Sequence, residues 1–321
     1  MERNILTVKG LLRSPSFSFL LRTLVAAGLL YGLSLYIDAA AVVASLRTAD
    51  PSLLAAGFLL VAANTGVHFL RWRYLLRLVS PDVSNAEVLT SLLVGFTAGF
   101  FTPAQVGEFA GRIASSPGVR RSRIVGMTLI DKAYLLAATV LTGVPSLALF
   151  VSLFYPGQWN SAYSAGIILF ATAVVALASF PERSIGLLRR LPERVRSHRF
   201  FSIFGVMEDG FRDLHGRVTF LYSLALYAVI ALQFALFINA FEPVAADVSV
   251  IGSFSVYFVK AVILPVSIGD LGVRESASVF FFAKYGVSAA AAFNASLCMF
   301  LANILLPSAA GALLVLRLRG R

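Results

Sequence analysis

The chain has 321 residues, of which 58% are hydrophobic and only 13% are charged. Soluble domains carry about 25% charged residues, so a chain this apolar could not cover its surface in water. The composition therefore excludes an ordinary soluble enzyme, a disordered chain and a secreted disulfide scaffold, and the single cysteine cannot form an intrachain disulfide. Several apolar runs reach the roughly 20 residues that cross a bilayer, which indicates an all-α polytopic membrane protein.

Six apolar runs are predicted to be full transmembrane helices: 19–37, 52–70, 124–154, 161–180, 218–240 and 288–316. Two further apolar runs, 86–118 and 248–285, are interrupted in the middle by proline, glycine and charge. Proline removes a backbone donor and glycine permits a turn. Backbone N–H and C=O groups that lose their helical hydrogen bonds at membrane depth are tolerated only against protein or a water-filled cavity. We therefore predict that both runs are re-entrant helical hairpins, each entering and leaving the membrane on one side.

The distribution of charge predicts the orientation of the chain. The formal net charge is +11, and the arginines and lysines lie mainly in short loops and at the chain ends. If 86–118 returns to the side that it entered, 22 of the 27 basic residues fall on the cytoplasmic side, in agreement with the positive-inside rule. This predicts cytoplasmic N- and C-termini in the inner membrane. The basic segment 182–217 is then a cytoplasmic loop, and no nucleic-acid partner is expected.

An offset of 162 residues reveals an internal repeat. It carries the hairpin 86–118 onto 248–285, the span 52–70 onto 218–240, and 124–154 onto 288–316. The matched residues include Pro103 with Pro265, Gly107 with Gly269, Glu108 with Asp270, and Arg112 with Arg274. Because the matched spans run in opposite directions in the predicted topology, we expect a single membrane domain of two inverted halves, 15–155 and 160–317. Inverted repeats with broken helices are typical of transporters, and the breaks indicate the substrate site.

The segments Pro103-Ala104-Gln105-Val106-Gly107-Glu108-Phe109-Ala110-Gly111-Arg112 and 264–275 resemble the membrane domain of the lysylphosphatidylglycerol synthase/flippase family. Gly286-Val287-Ser288, followed by an alanine-rich span, is also similar to that family. The resemblance covers about residues 15–316 and implies a lipid-flipping membrane domain. Bifunctional members add a soluble aminoacyl-transfer domain after it. None follows residue 321 of this sequence, so we expect no aminoacyl transfer. Asp270 departs from the glycine expected in the second motif.

Charged residues within the apolar runs are costly, about 2.5–3.5 kcal/mol each at a span centre, and they are the candidate site residues. The predicted substrate-binding residues are Arg112, Arg274, Lys260, Pro103, Gly107, Pro265 and Gly269. Arginine suits a lipid phosphate because its planar fork binds two oxygens, and the half-helices after the prolines would direct free N–H groups at the anion. The predicted ion- or proton-coupling residues are Glu108, Asp270, Glu275 and Asp131.

Structural alternatives remain open for these charges. Glu108 and Arg112 are four residues apart, as are Asp270 and Arg274, so each pair could be a salt bridge that stabilises its hairpin. Asp131 could pair with a loop arginine instead of lining a pathway. Four asparagines are expected to make interhelical hydrogen bonds: Asn64, Asn239, Asn294 and Asn303.

The leading functional hypothesis is a flippase-like lipid transporter that moves an anionic phospholipid or polyprenyl-phosphate-linked head group between the two hairpins. Two alternatives are an intramembrane enzyme acting on lipid phosphates and a non-catalytic membrane partner of an envelope-lipid enzyme that docks on 182–217. The sequence also leaves open that a second copy of the chain is a partner, in a homo-oligomer. No phosphate-cradling Gly-Lys-Ser/Thr loop, nucleophile motif or metal-ligand spacing occurs, so no metal or cofactor is expected and we predict a non-enzymatic protein.

Overall fold

The computed structural model describes residues 31, 37–102, 105–158, 160–182, 212–263 and 271–319, and this part of the chain is all-helical. The α-helices are α1 (Ala39–Thr48), α2 (Pro51–Val79), α3 (Asn85–Phe100), α4 (Gly107–Ala114), α5 (Arg121–Phe154), α6 (Ser161–Ser179), α7 (Asp213–Phe241), α8 (Ala246–Val262), α9 (Val273–Lys284), α10 (Ala289–Phe300) and α11 (Leu306–Arg319). A 3₁₀ turn, Pro156–Gln158, follows α5, and a π-helical turn, Leu301–Leu305, joins α10 to α11.

Five helices in the described part are long and apolar enough to cross a membrane: Pro51–Val79, Arg121–Phe154, Ala162–Ser179, Asp213–Phe241 and Ala289–Leu316. They confirm five of the six predicted spans, and the first span, 19–37, lies almost wholly outside the described residues. The helix that contains the span predicted at 52–70 continues to Val79, nine residues beyond the predicted end. This extension places Arg71 on a helix in the interior of the bundle, where it is 1% exposed.

Local sequence signals fix where the helices begin. Asp50 caps α2 by accepting hydrogen bonds from the backbone N–H groups of Ser52 and Leu53, with Pro51 at the first helical position. Hydrogen bonds from the Ser52 hydroxyl and backbone lower the pKa of Asp50 below its ordinary value. Ser84 and Glu87 form a capping box at the start of α3.

The run 86–118 is a pair of antiparallel helices, α3 and α4, which we call the first helix pair. The two helices approach so closely that a Cβ at Gly111 would lie 2.6 Å from the carbonyl oxygen of Val94. A Cβ at Gly107 would likewise collide with the carbonyl of Ala98. The break between them is bridged by Thr102, whose hydroxyl accepts from the Gly107 N–H at 2.6 Å. Pro103 lies outside the described residues.

The run 248–285 forms the second helix pair, α8 and α9, which also pack on each other. Gly252 of α8 admits the ring of Phe282 of α9, whose Cζ would lie 2.6 Å from a Cβ at that position. The break between the helices includes residues 264–270, so Pro265, Gly269 and Asp270 lie outside the described residues.

The boundaries of α2 and α7 correspond under the offset of 162 residues, which carries Pro51–Val79 onto Asp213–Phe241. The same offset carries the proline within α5, Pro145, onto Pro307 of α11. Helices α2 and α7 run antiparallel along their length. The N–H of Asp50 donates to the carbonyl of Ala240 at 2.8 Å, and near the other end Tyr74 hydrogen bonds with His215.

Each helix pair packs on the last helix of the other half of the chain. The Thr97 hydroxyl of α3 donates to the carbonyl of Ser308 on α11 at 2.7 Å, and Gly311 allows α11 to contact the backbone of Leu93. In the other half, Gly143 of α5 leaves room for the Phe258 ring of α8. The two halves of the chain therefore contact each other through both helix pairs.

Three of the four asparagines make the predicted interhelical hydrogen bonds. The Nδ2 groups donate from Asn239 to the Ser249 hydroxyl at 3.3 Å, from Asn294 to the Val42 carbonyl at 3.1 Å, and from Asn303 to Gln233 at 2.7 Å. Asn64 has no such bond within the described residues.

The glycine contact in the first helix pair predicts the effect of one added methyl group. Gly111→Ala should destabilise the protein by about 1–3 kcal/mol because backbone atoms of α3 occupy the space of the new Cβ. Gly66→Ala is the matched control: no described atom lies within 4 Å of its Cβ, and alanine favours a helix by up to about 1 kcal/mol. Thermal unfolding of the detergent-solubilised protein measures both, and equal midpoints would contradict the close approach.

Candidate functional site

A cavity of about 170 Å³ lies at the centre of the bundle, between the two helix pairs. It is lined from α2, α5, α7, both helix pairs and the end of the chain. Four of the predicted site residues line it: Glu108, Asp131, Lys260 and Arg274. They share the cavity with Arg71, Lys132 and His68. The structure thus brings charges that are up to 203 residues apart in sequence (Arg71 to Arg274) around one space.

Asp131 is the centre of the ionic network on the first half of the chain. Its Oδ1 accepts from Nε of Arg71 at 2.6 Å, and its Oδ2 accepts from Nη2 of Arg112 at 3.0 Å. All three side chains are at most 3% exposed. The carboxylate therefore joins α2, α4 and α5, and the pairing with an arginine that the sequence left open is made inside the bundle.

Glu108 forms ion pairs with both Arg112 and Lys132. The first of these is the salt bridge that the four-residue spacing left open as a structural alternative. Lys132 also donates to the Gln105 side-chain oxygen at 2.8 Å. Gln105 lies beside the break in the first helix pair with φ of 55°, in the left-handed region that few side chains adopt. Lys132 thus joins α5 to the tip of the first helix pair.

Arg112 lies behind Glu108 and is fully buried. Its guanidinium stacks on the Trp72 ring, with Cζ 3.9 Å from the ring centroid. The indole N–H of Trp72 donates to the Ser91 hydroxyl at 3.3 Å, which orients the ring. This environment makes Arg112 part of the wall that supports the cavity.

Arg274 of α9 lines the cavity and is held on one side by a neighbouring acid. Its Nη2 donates to Glu275 at 2.7 Å and its Nε to the Ser296 hydroxyl at 3.0 Å. Glu275 in turn accepts from the backbone N–H of Gly272 at 2.7 Å. The predicted partner of Arg274, Asp270, lies outside the described residues, and Glu275 supplies a carboxylate that the four-residue spacing did not predict.

Lys260 occupies the last turn of α8, with Nζ 5.6 Å from the centroid of the Tyr257 ring. Both side chains line the cavity. With Arg274, Lys260 gives the second helix pair two cations on the cavity wall.

The charged side chains of the site are mostly basic. Among the described residues, the site contains five bases, Arg71, Arg112, Lys132, Lys260 and Arg274, and three acids, Glu108, Asp131 and Glu275. Four of the bases line the cavity: Arg71, Lys132, Lys260 and Arg274. Arginine and lysine are the side chains that bind phosphate and carboxylate groups. The lining is therefore suited to an anionic group.

Sequence reasoning missed Arg71, Trp72 and His68 as site residues. The predicted span ends at residue 70, although Asn64, His68 and Arg71 have the i, i+4, i+7 spacing of one helix face. That spacing was the signal that could have found them. The described residues include no group of three or more His, Cys, Asp or Glu side chains placed to hold a metal ion.

Apolar spans packed around a buried ionic cavity define a multi-pass α-helical membrane protein. The chain belongs to the family described as the lysylphosphatidylglycerol synthase TM region, whose model matches residues 19–311. This match confirms the family that the two motifs indicated. No curated protein matches the chain.

The bridging role of Asp131 predicts a large loss of stability for Asp131→Asn. Neutralising it removes the carboxylate shared by Arg71 and Arg112, and breaking a buried ion pair costs about 3–5 kcal/mol. The exposed Asp82 is the matched control, since Asp82→Asn should change stability by less than about 0.5 kcal/mol. Unfolding midpoints in one detergent compare the two, and a stable Asp131→Asn protein would contradict the central role of this carboxylate.

Proposed function

We propose that the protein is a lipid transporter of the flippase class, which moves the anionic head group of a phospholipid or polyprenyl-phosphate-linked lipid across the inner membrane. The observation that carries the proposal is the central cavity with four basic side chains on its lining, Arg71, Lys132, Lys260 and Arg274. The head group would cross through this polar space while the hydrocarbon tails stay in the bilayer.

Lys260, Arg274 and Lys132 are the cations that we assign to the head group, because they line the cavity. Arginine binds phosphate oxygens through a planar fork and lysine provides a compact point charge. Lys132 is more accessible than Arg71 and Arg112, the other cations of the ionic network around Asp131, because 30% of its side chain is exposed. An arriving phosphate could replace Glu108 as its partner, which would loosen the contact between α5 and the first helix pair.

We assign an ion- or proton-coupling role to Glu108 and Asp131, because each forms an ion pair with a cation that lines the cavity. Glu108 contacts both Arg112 and the accessible Lys132. A head group that takes a cation from a carboxylate leaves an acid whose charge is no longer balanced, and proton uptake would restore the balance.

Alternating access in this proposal depends on two re-entrant hairpins in an inverted repeat. The antiparallel course of α2 and α7, whose boundaries match under one offset, supports such a repeat. The packing of each helix pair on the last helix of the other half supports it as well. Rocking of one half against the other would open the cavity first to one leaflet and then to the other. The charge distribution supports cytoplasmic termini.

Lipid movement in reconstituted liposomes tests the proposed function. Lys260→Gln should slow the movement of acyl-labelled anionic lipids about tenfold or more, since contacts to a charged group contribute about 1.5–3 kcal/mol. Lys284→Gln is the control, because Lys284 is an exposed lysine at the end of α9. Both variants must keep the unfolding midpoint of the unsubstituted protein.

Three outcomes would reject transport. Rates equal to empty liposomes, with and without a proton gradient, would remove the main support, as would equal rates for the two lysine variants. A chemically altered lipid in mass spectra would favour the lipid-phosphate enzyme instead.

Cysteine labelling tests the re-entrant topology separately. In a Cys298→Ala background, Asp82→Cys and Ser122→Cys should react with an impermeant thiol reagent from one side of the membrane, since they flank the first helix pair. Ala245→Cys and Lys284→Cys, which flank the second, should react only from the other side. All four positions are exposed. Labelling of residues 82 and 122 from opposite sides would mean that the first helix pair crosses the membrane.

A further inference from the structure

Helix α2 presents an unusual polar face to the central cavity. Asn64 and His68, one turn apart, both line it. Asn64 is only 4% exposed, and neither side chain has a hydrogen-bond partner among the described residues. The only ring contact of His68 in that part of the chain is an edge-to-face approach to Phe96 at 5.2 Å. Both side chains face the cavity with donors and acceptors that no described residue uses, so this face is suited to bind a ligand.

The corresponding face of α7 is apolar. The offset of 162 residues that relates the two helices carries Asn64 onto Leu226 and His68 onto Ile230, and both of these also line the cavity. One wall therefore offers hydrogen-bonding groups where its counterpart offers hydrocarbon. The scaffold does not require polar residues at these positions, since the related helix is built without them.

We propose that Asn64 and His68 form a subsite that hydrogen bonds the uncharged, hydroxyl-bearing part of the head group, next to the cations that hold its phosphate. This inference rests on the proposed function. The amide of Asn64 contains two donors and an acceptor, and a neutral imidazole contains one of each. A hydroxyl both donates and accepts, so it matches both side chains, whereas an ammonium group only donates. The cavity of about 170 Å³ suits a small polyol phosphate.

Competition between lipids of equal acyl chains tests the subsite directly. The purified protein is offered phosphatidylglycerol, phosphatidic acid and phosphatidylethanolamine, and bound lipid is measured by native mass spectrometry. Phosphatidylglycerol should be preferred to phosphatidic acid by about tenfold, the effect of two hydrogen bonds of roughly 0.7 kcal/mol each. Phosphatidylethanolamine should not exceed phosphatidylglycerol.

Asn64→Leu combined with His68→Ile, which copies the face of α7, should abolish this preference and leave phosphatidic acid binding within about twofold. Asn239→Leu is the matched control, because Asn239 bonds to Ser249 outside the central cavity, and it should keep the preference. If the double variant does not fold, Asn64→Leu alone should lower the preference about threefold. Asn64→Gln should retain most of it.

The results separate this inference from the transport proposal. Equal binding of phosphatidylglycerol and phosphatidic acid by the unsubstituted protein would overturn the subsite, as would stronger binding of phosphatidylethanolamine. In either case, weaker binding of both anionic lipids by Lys260→Gln would leave the transport proposal standing. If Lys260→Gln changes neither, the anion site itself is wrong.

Discussion

Asp131 accepts hydrogen bonds from Arg71 and Arg112, which come from two other helices, and the buried interior of the bundle depends on this arrangement. An ion taken out of water loses several kcal/mol of solvation, and only opposite charge with good geometry recovers it. The carboxylate can satisfy both arginines only if α2, α4 and α5 meet at one point. The same contacts orient Glu108 toward Lys132, so the electrostatic requirement of the fold also determines which charges surround the cavity.

Helices that correspond under the offset, such as α2 and α7, differ in chemistry. Under the offset of 162 residues, Arg71 corresponds to Gln233, and Asp131 and Lys132 correspond to Phe293 and Asn294. Gln233 bonds to the Gly57 carbonyl at 2.9 Å, a neutral contact in the place of an ion pair. The first half therefore holds the larger ionic network. In the second half, the described ion pair joins Arg274 to Glu275 within its helix pair.

Hydropathy and helix breakers predicted most of the framework, because burial in lipid demands long apolar helices and proline interrupts them. The pair of Glu108 and Arg112 was also predictable, since its four-residue spacing is local. Arg71 and Trp72 were missed because a charge ended the apolar run, although a paired charge can continue a helix inside a protein. Asp131 and Lys132 are neighbours on α5, and they reach Arg112 and Glu108 of α4 because α4 packs beside α5. Contacts between distant segments carry no signal in local sequence.

The packing of each helix pair on the last helix of the other half has a consequence for biogenesis. The first helix pair is complete by residue 114, but its packing surface on α11 begins only at Leu306, almost 200 residues later in synthesis. Until the ribosome has released that segment, α3 lacks the helix that covers it, and contacts so distant in sequence form slowly. A chain truncated before Leu306 would leave this surface of α3 uncovered and exposed to quality-control proteolysis.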